Sequence, residues 1–390
     1  YLALLPQSYA HFLDTAEQEI QKGERHGNAL ILYGMIQEIG DFVAAAKQKL
    51  SAKAADQLKD AGRRRVRSQK FVKLFVARKL FIKEIKPKDG LGTELRNDLK
   101  ASFSKQFRNS PMVYGMTLGE EDVKVSPKDY VMSEGIYATL EADYGLGRTV
   151  QEVVTLKGEV IATDNPEYLR LVRKKKDTEG VPPKLYEQAY YKYTIKRKIT
   201  EAVANARLGF VIEYGDKKEN HKINLKQSLR RTFIQESIDP EKTKRYTKQL
   251  ASKPDDMGVK NPKPKLKVDR VMTLLEMKEW ARNETAKIAM MRLLATLSSY
   301  PLELDARAVA FAEEDNWQMA GNFMGICLGY CRNLDPAAAA KSEYFVSADP
   351  PAYLKDEYKR NSKLVKEITA LKKKLWPRSV DAVVKYLETD

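Results

Sequence analysis

Between Arg63 and Lys79 the chain carries eight basic residues, Arg63, Arg64, Arg65, Arg67, Lys70, Lys73, Arg78 and Lys79, and no acidic one. Cationic groups at this density suit one chemistry, the neutralisation of a polyanion, because each phosphate they pair with releases condensed counterions. Arginine adds geometry, since its planar fork engages two phosphate oxygens at once. A second basic territory opens at Arg173, Lys174, Lys175 and Lys176, runs through YYKYTIKRK (Tyr190 to Lys198), includes Arg230 and Arg231, and ends in KNPKPKLK (Lys260 to Lys267). There Tyr191 and Tyr193 alternate with Lys192 and precede Lys196, Arg197 and Lys198, the pairing of aromatic faces and positive charge that single strands favour. The plainer alternatives are a solvated basic helix face for the first run and core tyrosines for the second.

Composition narrows the class. The 390 residues carry a formal charge of +16, with 43% hydrophobic and 31% charged residues, so the chain is globular rather than a disordered basic tail. A chain of this length exceeds one ordinary hydrophobic core, and two or three lobes are expected. With only Cys327 and Cys331, no disulfide framework is possible, and their i, i+4 spacing on an apolar helix reads as two buried small hydrophobes. No apolar run approaches the length of a membrane span. A virion interior, the cytoplasm or the nucleus all suit such a chain.

Catalytic signatures are missing from the sequence. There is no Walker-type phosphate loop, and three histidines, His11, His26 and His221, lie in no zinc-protease spacing. EYGDKK (Glu213 to Lys218) reads as a hairpin turn rather than part of a carboxylate metal site, which needs several converging acids. No enzyme activity, metal or cofactor is expected.

The elements that must position these residues read as follows. AHFLDTAEQEI, a GERHG break and NALILYGMIQEIGDFVAAAKQKL form a helical hairpin. The basic segment continues as a helix with Val66, Phe71, Leu74, Phe75, Phe81 and Ile82 as its apolar stripe and the cations opposite. VQEVVTLKGEVIATD (Val150 to Asp164) reads as two short strands around LKG, and GFVIEYGDKKENHKINL as two strands around a polar turn. PEYLRLVRKKK and PKLYEQAYYKYTIKRKITEAVANARL read as helices, each with Pro near its start. In the C-terminal helices, Gly321, Gly325 and Gly329 recur every four residues, which demands a backbone or bulky side chain packed close against that face. The expected fold class is mainly α, two helical lobes flanking a smaller mixed α+β region with short β-hairpins. The boundaries are 1–110 for the N-terminal lobe with the basic helix and 111–236 for the mixed region. A Lys/Pro-rich linker or exposed loop follows at 237–267, then the C-terminal lobe and tail at 268–390.

In size, charge and helical texture the chain resembles the nucleocapsid proteins of RNA viruses. That resemblance implies a non-catalytic, sequence-nonspecific packaging protein that holds single-stranded RNA between lobes and self-associates through its terminal segments. A structural subunit of a capsid shell or ribonucleoprotein particle is the first alternative, and a nucleic-acid-processing enzyme with a dispersed carboxylate site the second.

Overall fold

The computed structural model of the chain describes residues 1–83, 90–120, 123–145, 147–225, 230–270 and 272–389. In order, the elements are α1 (Leu5–Gly23), α2 (His26–Ala45), α3 (Ala52–Val76), β1 (Arg78–Ile82), α4 (Gly90–Asn109), β2 (Met116–Leu118), β3 (Tyr130–Tyr144), β4 (Arg148–Asp164) and α5 (Pro166–Arg173). They continue with β5 (Lys184–Tyr214), β6 (Lys217–Asn224), β7 (Arg230–Leu250), α6 (Leu274–Ser298), α7 (Tyr300–Glu313), α8 (Trp317–Cys331), α9 (Pro336–Ala339) and α10 (Lys355–Thr389). The strands form one mixed seven-stranded sheet in the order β2-β1-β3-β5-β4, with β6 and β7 also paired to β5.

This corrects the expectation of a mainly α chain with two helical lobes and short hairpins, since about 50% of the chain is helical and 26% is strand. The largest departure is β5, whose 31 residues include the segment read as a helix from Pro183. Its Tyr, Thr, Ile and Val residues are β formers, and Tyr191, Tyr193 and Ile195 turn to one side with period two, which the tertiary pairing on both flanks rewards over helix. The LKG segment is not a turn. One 17-residue strand, β4, passes through it with an irregularity between Lys157 and Val160. Gly158 sits there because any Cβ would run into the Tyr191 ring. The segment read as a linker begins as the second half of β7 and becomes irregular only after Leu250. The EYGDKK reading is met: Gly215 and Asp216 form a two-residue turn between β5 and β6, with Tyr214 paired to Lys217 and Gly215 at φ 54°.

Two compact units emerge. The first comprises Tyr1–Leu140, Ala206–Ser228 and Ala281–Asp390, and the second Glu141–Asn205 and Leu229–Trp280. The N-terminal and C-terminal helices therefore share one unit.

The core of the first unit is built around α2, which is buried over most of its surface because its sequence is apolar on nearly every side. Tyr9 and Leu13 of α1, Ile31, Leu32, Tyr33 and Ile36 of α2, and Val383 of α10 meet in one cluster. The glycine repeat behaves as expected. Gly325 of α8 faces the backbone of Gly27, Gly321 faces Asn28 and Val383, and Gly329 faces Val72 and Leu30. Cys327 and Cys331 are buried on the same helix, as their spacing implied.

A polar network ties the two ends of the chain together within this unit. Buried Glu19 accepts hydrogen bonds from Arg25 Nε at 2.8 Å, Asn28 Nδ2 at 2.6 Å, Gln318 Nε2 at 3.0 Å and Tyr386 Oη at 2.9 Å. Burial alone would raise its carboxyl pKa, but the bonds from Arg25, Asn28 and Tyr386 outweigh burial and hold it below the usual carboxylate range. Its contribution to stability is therefore complete above the unfolded pKa of about 4.3 and is lost as pH falls through the lower folded value. Glu19→Gln is expected to destabilise by about 2 kcal/mol at neutral pH, less than for a fully buried pair because Arg25 can turn toward water. Urea melts at neutral pH and below about pH 4 check this, the variant showing the flatter acid limb.

Candidate nucleic-acid interface

The first basic run lies at the corner where α3 ends and β1 begins. Ser51 caps α3, its side chain accepting from Ala54 N at 3.2 Å, and the helix runs without Pro to Val76. Its buried stripe is Ala54, Ala61, Ser68, Val72 and Val76 rather than the larger apolar residues. Small residues are required there because α3 packs against α2 and α8 at close range, with Val72 against Gly329. Val66, Phe71, Leu74 and Phe75, expected to be the inward stripe, are instead exposed, Leu74 by 71%, and Phe81 and Ile82 are buried in β1.

The cations of this run divide into two sets. Arg63, Arg67, Lys70, Lys73 and Lys79 are exposed. Arg64 is held by Asp60 at 2.8 Å and Glu17 at 3.0 Å, and Arg65 bonds Gln37. Arg78 locks the corner: it donates to the carbonyls of Phe75 at 2.6 Å and Ala77 at 3.0 Å and to Tyr300 Oη at 2.9 Å. A cleft of about 560 Å³ opens beside the corner, lined by Lys73, Arg78, Lys79, Lys124, Tyr114 and Asp129 among others. Asp129 is committed to the backbone, accepting from Lys79 N at 3.0 Å and Ser126 N at 2.8 Å. On the other side of Arg78 a cleft of about 330 Å³ brings Lys128, Lys217 and Arg307 near Phe75, Tyr130, Tyr214 and Tyr300, with Asp216 and Glu303 also in its wall and Lys217 paired to Glu303 at 3.0 Å. These clefts join cations to flat aromatic faces, a combination suited to a strand with phosphates and bases. Among the described residues no helix is long and apolar enough to cross a membrane, and no group of three or more His, Cys, Asp or Glu could hold a metal ion.

No protein-family model, curated protein or solved structure matches the chain.

In the second unit the sheet sorts the predicted residues by parity. Tyr191 and Tyr193 point to a face covered by the chain beyond β7, where Tyr193 Oη meets Asn261 Oδ1 at 2.8 Å and Val160 N donates to Met257 O at 2.7 Å. They are only 7% and 4% exposed, with Leu156, Ile161 and Ile238 packed around them. This face also carries the acids. Tyr191 Oη bonds Glu159, Arg245 pairs with Glu159 at 2.9 Å, and Arg197 pairs with Glu236 and Glu152 at 2.7 Å each. Glu236 is held below the usual carboxylate range, first by the backbone N–H of Lys267 and then by Arg197.

The opposite face carries lysines. Lys192, Lys196 and Lys198 of β5 share it with Lys157 of β4 and Lys244 and Lys248 of β7, and the register places two carboxylates there, Asp239 and, at the end of β4 opposite Lys184, Asp164. Lys196 neutralises Asp239 at 3.1 Å and lowers its pKa. Tyr190 and Tyr246 stand opposite each other across the strands, ring centroids 5.4 Å apart and 15° from parallel. Lys192 Nζ lies 5.0 Å from the Tyr246 centroid and Lys248 Nζ 5.7 Å from that of Tyr190, contacts worth about 0.5–1 kcal/mol at an exposed site.

The remaining predicted cations are dispersed. Arg173, Lys174, Lys175 and Lys176 are exposed at the C-terminal end of α5, where the helix dipole favours positive charge. Arg231 lies over Trp280, 4.1 Å from its ring centroid. Arg230 opens β7, and its side chain falls outside the described residues, as do Lys226–Leu229. Sequence reasoning missed Lys157, Lys244, Tyr246 and Lys248 in the second unit, and Tyr114, Lys124 and Lys128 in the first. The signal for the first group was present: Lys244, Tyr246 and Lys248 alternate at the spacing of a strand inside a segment read as a linker.

Proposed function

We propose that this protein binds nucleic acid without sequence preference, by neutralising phosphates, and that its copies coat RNA as a packaging protein. The observation that carries the reading is the run of exposed cations Arg63, Arg67, Lys70, Lys73 and Lys79 on α3 and β1, of which Lys73 and Lys79 line a cleft with Tyr114 and one further lysine, Lys124. Lysine and arginine side chains at a helix surface engage the backbone of a nucleic acid, which is the same in every sequence. Exposed Leu2 and Leu4, just before α1, supply an apolar surface for contact between copies.

Titration of RNA oligonucleotides of different sequence into the full chain, at several salt concentrations, tests this. Similar affinities that fall steeply with salt are expected, log K changing by about 0.7 per phosphate contact for each tenfold rise in salt. A flat salt response, a strong sequence preference, or binding to anionic lipid vesicles without binding to RNA would each overturn it.

A further inference from the structure

The lysine face of the second unit has two properties that folding alone does not account for. Lys192 and Lys244 are directly opposite in the β5–β7 register, a like-charge pair that weakens a sheet unless an anion lies over it. Tyr190 and Tyr246, half-buried at the base of that field, are already stacked on each other, so their rings are fixed before any ligand arrives. The lysines on their outer faces, Lys192 and Lys248, are exposed.

We propose that this face is a stacking platform selective for single-stranded nucleic acid. The inference rests on the nucleic-acid reading above and assigns it a second contact surface with its own specificity. An incoming base takes the place of an ammonium over a tyrosine ring, and the displaced Lys192 or Lys248 turns to the adjoining phosphate. Lys157 and Lys244 hold the phosphates on either side. A duplex meets only the lysines, because its bases are stacked internally and cannot lie on a flat sheet. A lipid surface is a poorer fit, since the face offers lysines and tyrosines rather than the long aliphatic and Trp side chains that enter the acyl boundary.

The test compares a single-stranded oligonucleotide, as RNA and as DNA, with the corresponding duplex, using the full chain with α3 intact. Replacing Tyr190 and Tyr246 together by leucine is expected to weaken single-strand binding by about ten- to a hundredfold, leaving duplex binding and the salt slope unchanged. The paired Tyr→Phe variant keeps the rings and restores affinity. A third variant, Lys192→Gln with Lys244→Gln and Lys248→Gln, reduces the single-strand salt slope by about 2. Single-strand affinity unchanged by the leucine pair in a protein of normal melting temperature overturns the platform, as does an equal loss on the duplex or tight binding of anionic vesicles that needs the tyrosines. If the wild-type chain binds neither form, the nucleic-acid reading itself fails. If binding is lost only on removing the α3 cations, that reading stands and the platform falls.

Discussion

Replacing Arg67, Lys70, Lys73 and Lys79 together by alanine is expected to weaken RNA binding by about 10²–10³-fold at about 0.1 M salt. The number follows from counterion release: four contacts at about 0.7 each change the slope of log K against log salt by about 3, and one decade separates 0.1 M from the 1 M reference. All four side chains are exposed, so folding is little affected. Alanine is also the best helix former at the three positions on α3. Anisotropy titrations across salt, with a thermal melt as control, read both quantities. An unchanged slope removes the α3–β1 corner from the interface. Arg64 and Arg78 give the contrasting result, because their guanidinium groups are committed to Asp60 and Glu17 and to Tyr300. Alanine at either lowers the melting temperature more than the slope.

The second large effect concerns the crossing of α2 and α8. A Cβ on Gly325 would lie 2.7 Å from the Gly27 Cα and overlap its carbonyl group, and one on Gly27 would overlap the Asn322 backbone. Backbone on both sides leaves no side chain to swing aside, so the helices must separate. Separation also breaks the 3.0 Å hydrogen bond from Gly27 N to Asn322 Oδ1. Gly325→Ala is expected to cost about 3 kcal/mol or more, at the upper end for overpacking. At about 2.1 cal/mol/K of unfolding entropy per residue, the melting temperature of a chain of 390 residues then falls by about 4 °C. Gly62→Ala on α3 is the control, since there the new methyl meets only the end of the Gln37 side chain at 3.2 Å. That substitution is neutral or stabilising by up to about 1 kcal/mol. Equal losses at both positions would show that helix glycine content, not the crossing, sets stability.

The α1–α2 hairpin, the glycine face of α8 and the turn at Gly215 were legible because each depends on local pattern: a break between apolar periods, a four-residue repeat, a Gly-Asp pair between strands. The sheet was not. β5 satisfies its backbone through partners far along the chain, Lys198 pairing with Thr149 on one side and Gln235 on the other, and no window of sequence contains both. Missing the strand inverted the reading of the second basic territory. Tyr191 and Tyr193, singled out for stacking, lie on the acid-bearing covered face, while their neighbours Tyr190 and Lys192 belong to the open one. On α3 the error had another source. Size alone points to the larger residues as the buried stripe, but close helix packing selects the small ones, and exposed Arg63, Arg67, Lys70 and Lys73 lie on the outward side among exposed Val66 and Leu74.

The contact between Gly27 and Asn322 spans 295 residues. At a synthesis rate of about 5–20 residues per second, the first helical hairpin leaves the ribosome roughly 15–60 seconds before the helix it must grip. Throughout that interval the apolar surface of α2 that α8 and α10 will cover has no native cover. Hydrophobic surface left open in this way makes partly folded chains prone to aggregate, so the wait for α8 is the stage of synthesis at which α2 most needs cover.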